Sequence, residues 1–349
     1  MTASKKTGGP PVPMEARLVA ALPDGEGWQF EPKWDGFRAI AVRDGDAVNL
    51  WSRSGKPLDR YFPDIVAMLA ALPCDRFTLD GELIIPIGDA LSFAALQARL
   101  HPAASRVAKL VAEAPAQFML FDCLALDGED LSARPLSERR AALAGFHSQA
   151  GRGDLLLSPA SSDVRHARRW LARSGGALDG VIAKRLDEPY RFGERAMAKV
   201  KQLRTADCVV GGYRRTDTGE VASLLLGLFD EDGRLDHVGF VSGLSRAVRA
   251  ELGPVLKEHE GEPGFTGNAP GGPSRWKGGK GHPWTSLRHD LVAEVDYDQV
   301  TGNRFRHGTR FRRWRPDKDA ASCTFDQLAR ELRPAELETL LRARRGASN

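Results

Sequence analysis

From Trp28 onward the chain is cut into short runs in which apolar side chains recur at every second position, each stopped by Asp-Gly, Thr-Gly or a glycine pair. Period two is the spacing of a half-buried strand, and turn dipeptides this frequent leave room only for strands that fold back on one another. RAIAVR (38–43), Asp44-Gly45 and AVNLWS (47–52) read as a hairpin with the Asp-Gly pair as its turn. Further strands are predicted at QFMLFDCLAL, DGVIAKR and AMAKVKQLR, then at DCVVGGYRR, SLLLGLFD, DHVGFVSG, LVAEVDYDQV and RFRHGTRFRRWRP.

Helices interrupt this pattern. FPDIVAMLAAL (62–72) carries Pro63 where a first helical residue belongs, PLSERRAALAGF offers Ser137 as an N-cap, and DVRHARRWLARSGG ends at a glycine pair. After about residue 205 only RAVRAELGPVLKEH reads as helical before a Gly/Pro-rich loop. The fold class is therefore α+β. With 349 residues the chain exceeds one comfortable core. The boundaries predicted are a surface-wrapping segment 1–27, a larger domain 28–204, and a small all-β barrel of OB type over 205–349 with helices at its end.

Several function classes fall away. No run of 18 apolar residues occurs and the N-terminus lacks an apolar signal core, so a soluble cytoplasmic protein with no membrane role is expected. Cys74, Cys123, Cys208 and Cys323 form no CxxC pair, which argues against a zinc site and a disulfide framework. Residues 275 to 318 hold eleven Lys and Arg against five Asp and Glu, the electrostatic footprint of a polyanion partner or of a solvated arginine face.

QFEPKWDGFRAI (29–40) carries the chemistry. A lysine is a poor nucleophile at neutral pH, since removing its proton costs about 4.6 kcal/mol at pH 7. Neighbouring cations or a metal ion lower that cost, whereas Asp35 alone would raise it. Arg38, Arg53, Lys184, Lys199 and Lys201 are the candidate cations. Alternation puts Lys199 and Lys201 on one strand face roughly 6.6 Å apart, as an α-phosphate clamp requires. Asp80, Glu82, Asp122 and Asp179 recur in matching contexts, where acids beside Asp-Gly turns are most often ordinary surface features; Glu82 and Asp179 adjoin Val, Ile and Leu runs, where ribose hydroxyls or Mg²⁺ would satisfy them. Phe121 is a core residue or a purine-stacking one.

EPKWDGFR, SRSGK, LDGEL, FMLFDCL, LDGVIAK, AKVK and RRWRPDK stand in the order and spacing of the nucleotidyltransferase motifs of ATP-dependent DNA ligases. From about residue 13 to 330 the chain resembles the short bacterial ligase C type of mycobacteria and other actinobacteria. The resemblance implies a nucleotidyltransferase domain of ATP-grasp-like antiparallel sheets with helices, followed by an OB-fold barrel. It also implies three steps: Lys33 takes AMP from ATP, AMP passes to the 5′-phosphate of a nick, and the 3′-hydroxyl then displaces it.

By the same resemblance Glu31 reads the adenine amino group, and Arg38 and Glu82 contact the ribose. Arg53 lies near the ribose or the nick 5′-phosphate, Phe121 stacks adenine, and Arg195 lies near substrate phosphates. Asp179 binds Mg²⁺ or Mn²⁺, while Lys199 and Lys201 hold the α-phosphate. Arg313, Arg315, Asp317 and Lys318 reach over ATP from a mobile barrel during the first step. The implied partner is nicked double-stranded DNA, with repair polymerase or primase-polymerase proteins beside it, for a nucleoid-associated monomer acting in DNA repair.

The chain departs from the pattern in three ways. The metal motif carries Asp179 for the usual glutamate, Met197 lies where a tryptophan often precedes the first clamp lysine, and 349 residues hold no separate N-terminal DNA-binding domain. RNA ligases and GTP-using capping guanylyltransferases share the chemistry; Glu31 and RRWRPDK argue against them. A non-catalytic OB-fold nucleic-acid-binding protein would have lost Lys33 or a clamp lysine, and none is lost.

Overall fold

A computed structural model describes residues 11–87, 90–174, 178–271, 283–298, 300–306 and 308–328. The chain divides into two compact units, the first ending at Lys201 and the second beginning at Gln202. In the first, the order is β1 (Ala16–Leu18), β2 (Trp28–Trp34), β3 (Phe37–Asp44), β4 (Ala47–Ser52), α1 (Pro63–Ala70), β5 (Arg76–Ile84), β6 (Pro86–Ile87), β7 (Ala90–Leu91) and α2 (Phe93–Arg99). It continues through α3 (Ala104–Glu113), β8 (Gln117–Leu126), β9 (Glu129–Asp130), α4 (Leu136–Ala150), β10 (Leu155–Leu157), α5 (Val164–Ala172), β11 (Leu178–Arg185) and β12 (Met197–Val200).

Two larger sheets result, one ordered β1-β12-β11-β2 and the other β10-β8-β5-β3-β4 with β9 beside β8, and β6 pairs with β7 in a small third. Most neighbours are antiparallel, as the turn-rich sequence requires, but β1 runs parallel to β12 and β10 parallel to β8. The N-terminal segment, expected only to wrap the surface, thus supplies an edge strand. Alternation divides the side chains of each sheet between its faces. Leu79, Leu83, Phe118 and Leu120 of the second sheet point into a core with Ile65, Leu69, Leu143 and Phe146. Phe30, Val181, Ala183 and Ala198 of the first pack on Ala167 and Trp170 of α5. At the ends of β2 and β11, Trp34 and Leu178 of the first sheet pack with Ile84 and Met119 of the second.

Local chemistry adjusts several expectations. Asp44 pairs with Ala47, so the hairpin turn is Gly45-Asp46, one residue later than the dipeptide suggested, with Gly45 at φ 62°. Pro63 does open α1, whereas α4 starts from Pro135 and takes Ser137 inside its first turn rather than as its cap. Asp163 caps α5 by accepting from the Arg165 N–H.

The second unit contains β13 (Arg204–Arg215), β14 (Val221–Phe229), β15 (Leu235–Val241), α6 (Arg246–Glu258), β16 (Thr285–Ser286), β17 (Val292–Tyr297), β18 (Val300–Thr301), β19 (Arg304–Phe305) and β20 (Arg310–Trp314). Its sheet runs β15-β14-β13-β17-β20 around a core of Val209, Leu224, Leu226, Val238, Leu252 and Val295. It is an open sheet among the described residues and not the closed barrel expected, because only an isolated bridge, Val241 to Thr309, links the β15 end to the stretch before β20. RFRHGTRFRRWRP, expected as one strand, breaks into β19 and β20. The helices expected beyond residue 330, and Arg275, Lys277 and Lys280 of the basic stretch, lie outside the described residues. Among those residues no helix is long and apolar enough to cross a membrane.

Candidate active site

Between the two sheets of the first unit, the polar residues of EPKWDGFR, LDGEL, FMLFDCL, LDGVIAK and AKVK converge. Glu31 and Lys33 alternate with Phe30, so both leave the face that packs on α5. Lys33 Nζ donates to Asp179 Oδ2 at 2.5 Å, and Lys201 Nζ lies 3.0 Å from Oδ1 of the same carboxylate. Asp179 is buried, yet Oδ1 accepts no aligned hydrogen bond. One acid therefore stands between two ammonium groups. Lys199 comes from β12, while Lys201 falls just past the strand end. Burial, and after it the positive charges of Lys33, Lys201 and Arg53, hold Lys199 below the ordinary lysine range.

The acid is aimed by its glycine. Register slips between Leu178 and Val181, and Gly180 between them adopts φ 131°. A Cβ at Gly180 would lie 2.1 Å from the Val200 carbonyl oxygen. Gly36 serves its lysine likewise, since a Cβ there would meet the Leu83 carbonyl oxygen at 2.2 Å. These Asp-Gly pairs are sites of close strand approach and not the exposed turns their composition suggests.

Glu31 is buried and satisfied twice, by Lys184 at 2.9 Å and by the Gln29 amide at 2.7 Å. Lys184 also donates to the Phe121 carbonyl oxygen at 3.3 Å, and its ammonium sits 4.9 Å from the Phe121 ring centroid. Asp80 pairs with Asp122 and Gly81 with Leu120, so Phe121 is the extra residue of a β-bulge. Its ring leaves the alternation of β8 and lies 5.3 Å from the Arg38 guanidinium. Arg38 is gripped in turn by Asp80, whose two oxygens accept from Nε at 3.0 Å and Nη2 at 2.6 Å. Glu82 accepts from the Gly36 N–H at 3.1 Å. Burial pushes its carboxyl up to about 7, with Lys33 and Arg38 only partly opposing.

Sequence reasoning missed three contributors. Tyr190 donates to Asp80 Oδ2 at 2.6 Å, while Met14 N–H donates to its hydroxyl at 2.9 Å. Arg139 forms a fully buried pair with Asp122, Nε to Oδ1 at 2.8 Å, and lies over the Tyr190 ring. Glu15 accepts from Arg53 Nε at 2.9 Å and lies 3.6 Å from Arg195 Nε, so the structure unites those two predicted residues through an acid with no sequence signal of its own.

Arg315 and Lys318 belong to the second unit. There Arg315 Nη1 donates to Asp207 Oδ1 at 2.9 Å and its Nε to Asp317 Oδ1 at 2.9 Å, with Lys318 Nζ 3.8 Å from Asp207. Arg313 and Arg312 pair with Glu294 at 2.7 and 3.1 Å. Much of the basic stretch is thus matched by acids of β13 and β17.

The family model described as ATP dependent DNA ligase domain matches residues 13–201, and that for the ATP dependent DNA ligase C terminal region matches 217–318. The chain is 48% identical over 338 residues to DNA ligase C2 of Mycolicibacterium smegmatis, covering 91% of this chain and 94% of that one. It is 45% identical over 342 residues to DNA ligase C of Mycobacterium tuberculosis, covering 93% and 95%. A solved Lig E DNA ligase, 18% identical with a TM-score of 0.51 and covering 86% of this chain and 100% of that one, shares the fold.

Proposed function

The chain belongs to the ATP-dependent DNA ligases, and from that premise we propose that Lys33 is the residue that carries AMP while a nick in duplex DNA is sealed. The observation that carries the reading is the Lys33 ammonium held at 2.5 Å by Asp179 in a crevice that also collects Lys199 and Lys201. In the first step the Lys33 ammonium first loses a proton toward Asp179; the neutral amine then forms the Nζ–P bond as the bond from the α-phosphorus to pyrophosphate breaks, and a second proton leaves the nitrogen to solvent as the phosphoramidate forms. Lys199 and Lys201 meet the charge that grows on the α-phosphate oxygens. Then the nick 5′-phosphate takes the AMP and frees Lys33, and attack by the 3′-hydroxyl expels AMP as the phosphodiester forms.

Glu31 accepts from the adenine amino group on lone pairs that Lys184 and Gln29 leave unused, and Phe121 stacks the base. Arg38, aligned by Asp80, and Glu82 meet the ribose; Arg53 and Arg195 meet substrate phosphate. Asp179 offers a buried carboxylate, whose hard oxygens fit a divalent cation, with the Lys201 ammonium 3.0 Å from Oδ1 in this structure. No group of three or more ligating side chains occurs among the described residues, and Asp179 would be the residue that holds Mg²⁺ or Mn²⁺. When bound, the ion would withdraw electron density from the α-phosphate and disfavour the Lys33 ammonium.

We read the second unit as an OB-type barrel opened at one edge. Its role is to grip duplex DNA through phosphates without reading sequence. Arg315 and Lys318 would exchange Asp207 for the β- and γ-phosphates of ATP. The reading extends to a nucleoid-associated repair monomer working beside polymerase-type partners.

Incubation with α-labelled ATP and Mg²⁺ should place the label on Lys33, and nicked DNA should remove it. Label on another residue, or label that survives the chase, would refute the assignment.

A further inference from the structure

Glu15 occupies a position that stability alone does not explain. Its carboxylate takes Arg53 from the turn after β4 on one oxygen, at 2.9 and 2.8 Å, and approaches Arg195 with the other at 3.6 Å. The arginine side chains are 65% and 74% exposed and the acid 27%, a setting in which an ion pair contributes little to folding. The backbone around the acid is nevertheless fixed. Glu15 N–H donates to the Glu194 carbonyl at 2.8 Å, and the Glu15 carbonyl accepts from Met197 N–H at 3.1 Å. The carboxylate therefore projects from a point locked to the segment that carries Arg195, and it reaches across to Arg53.

The donors left over face outward. Arg53 Nη1 and the Nη atoms of Arg195 hydrogen-bond to no described residue. Two guanidiniums against one carboxylate leave a net positive charge beside Lys199, which feels the charge of Arg53. Without the acid, two exposed arginines from separate segments would repel each other and sample many rotamers. With it, their planes are set before any ligand arrives, so less freedom is lost when an anion binds.

We propose that Glu15 is a positioning residue for the nick: it aligns Arg53 and Arg195 so that their unused N–H groups meet the 5′-phosphate. The inference rests on the reading that these two arginines contact substrate phosphate, and it adds the group that organises them.

The test compares the full chain with its Glu15→Gln, Arg53→Ala and Arg195→Ala variants. Fluorescence anisotropy would measure binding to one nicked duplex ending in a 5′-phosphate and to the same duplex ending in a 5′-hydroxyl. Self-adenylation with labelled ATP serves as the check on folding and on the first step. Glu15→Gln should still self-adenylate, with any loss there smaller than its loss in nick binding; it should weaken binding to the 5′-phosphate nick about five- to tenfold and erode the preference for phosphate over hydroxyl. Unchanged or tightened binding in Glu15→Gln, with the preference lost in the arginine variants, overturns the role of Glu15. If the arginine variants keep the preference, the reading of Arg53 and Arg195 as phosphate contacts fails instead.

Discussion

Glu82 carries a conflict that a pH scan can expose. The fold leaves it half-buried, and desolvation pushes its carboxyl up to about 7, although Lys33 and Arg38 favour its charge. The native state therefore holds a proton between about pH 4.5 and 7 that the unfolded chain has released. The stability linked to that proton is fully present below the unfolded value and is lost as pH rises through about 7. Urea unfolding at pH 5 and pH 8 should show a loss of at most about 3 kcal/mol assignable to this group, absent in Glu82→Gln. A variant with the parent's pH slope would contradict the assignment. At this scale motif chemistry named Lys33, Asp179, Lys199 and Lys201 as residues of one site, but not that the Asp179 carboxylate would hold the Lys33 ammonium. It was silent on Tyr190, Arg139 and Glu15, because each reaches its partner across more than fifteen residues without any periodic pattern. The acids Asp80 and Asp122 were visible, but their service to Arg38 and Arg139 needed the strand register.

Strands in this protein are most informative where their ladders fail. The bulge in β8 turns the Phe121 ring toward Arg38 and Lys184, and the slip in β11 sets Asp179 against Lys33. Alternation predicts a regular strand at both places, so neither irregularity was legible beforehand. The glycines were visible but were taken as turn formers. Gly180→Ala would combine an unfavourable φ of 131° with a Cβ pressed on the Val200 carbonyl. It should destabilise the first unit by about 2–4 kcal/mol. Lys33 labelling should fall with it, since the Asp179 carboxylate would move; a variant that melts like the parent and labels normally would show that β11 can relax at no cost. Element existence read more clearly than element ends. Pro63 announced α1, but Ser137 misled because Pro135, with ψ 149°, already stands at the cap and leaves Ser137 as the second helical residue.

Charge is distributed over the whole molecule less simply than the basic stretch implied. Arg312, Arg313, Arg315 and Lys318 all have acid neighbours in Glu294, Asp207 or Asp317, so their attraction for phosphate must compete with carboxylates. Replacing both Arg315 and Lys318 by alanine should lower self-adenylation about a hundredfold or more, while sealing of DNA already adenylated at the nick stays within a few-fold of the parent. Equal loss in the two assays would contradict a role confined to the first step. The parallel pairing of β1 with β12 also sets an order of events during synthesis. Its partners Ala16 and Met197 lie about 180 residues apart, so at roughly 5–20 residues per second the first strand waits on the order of 10–40 s for its neighbour to leave the ribosome. Until then the sheet that carries Lys33 lacks both its edge and its clamp lysines, and a prematurely released chain has no complete pocket in which to trap a nucleotide.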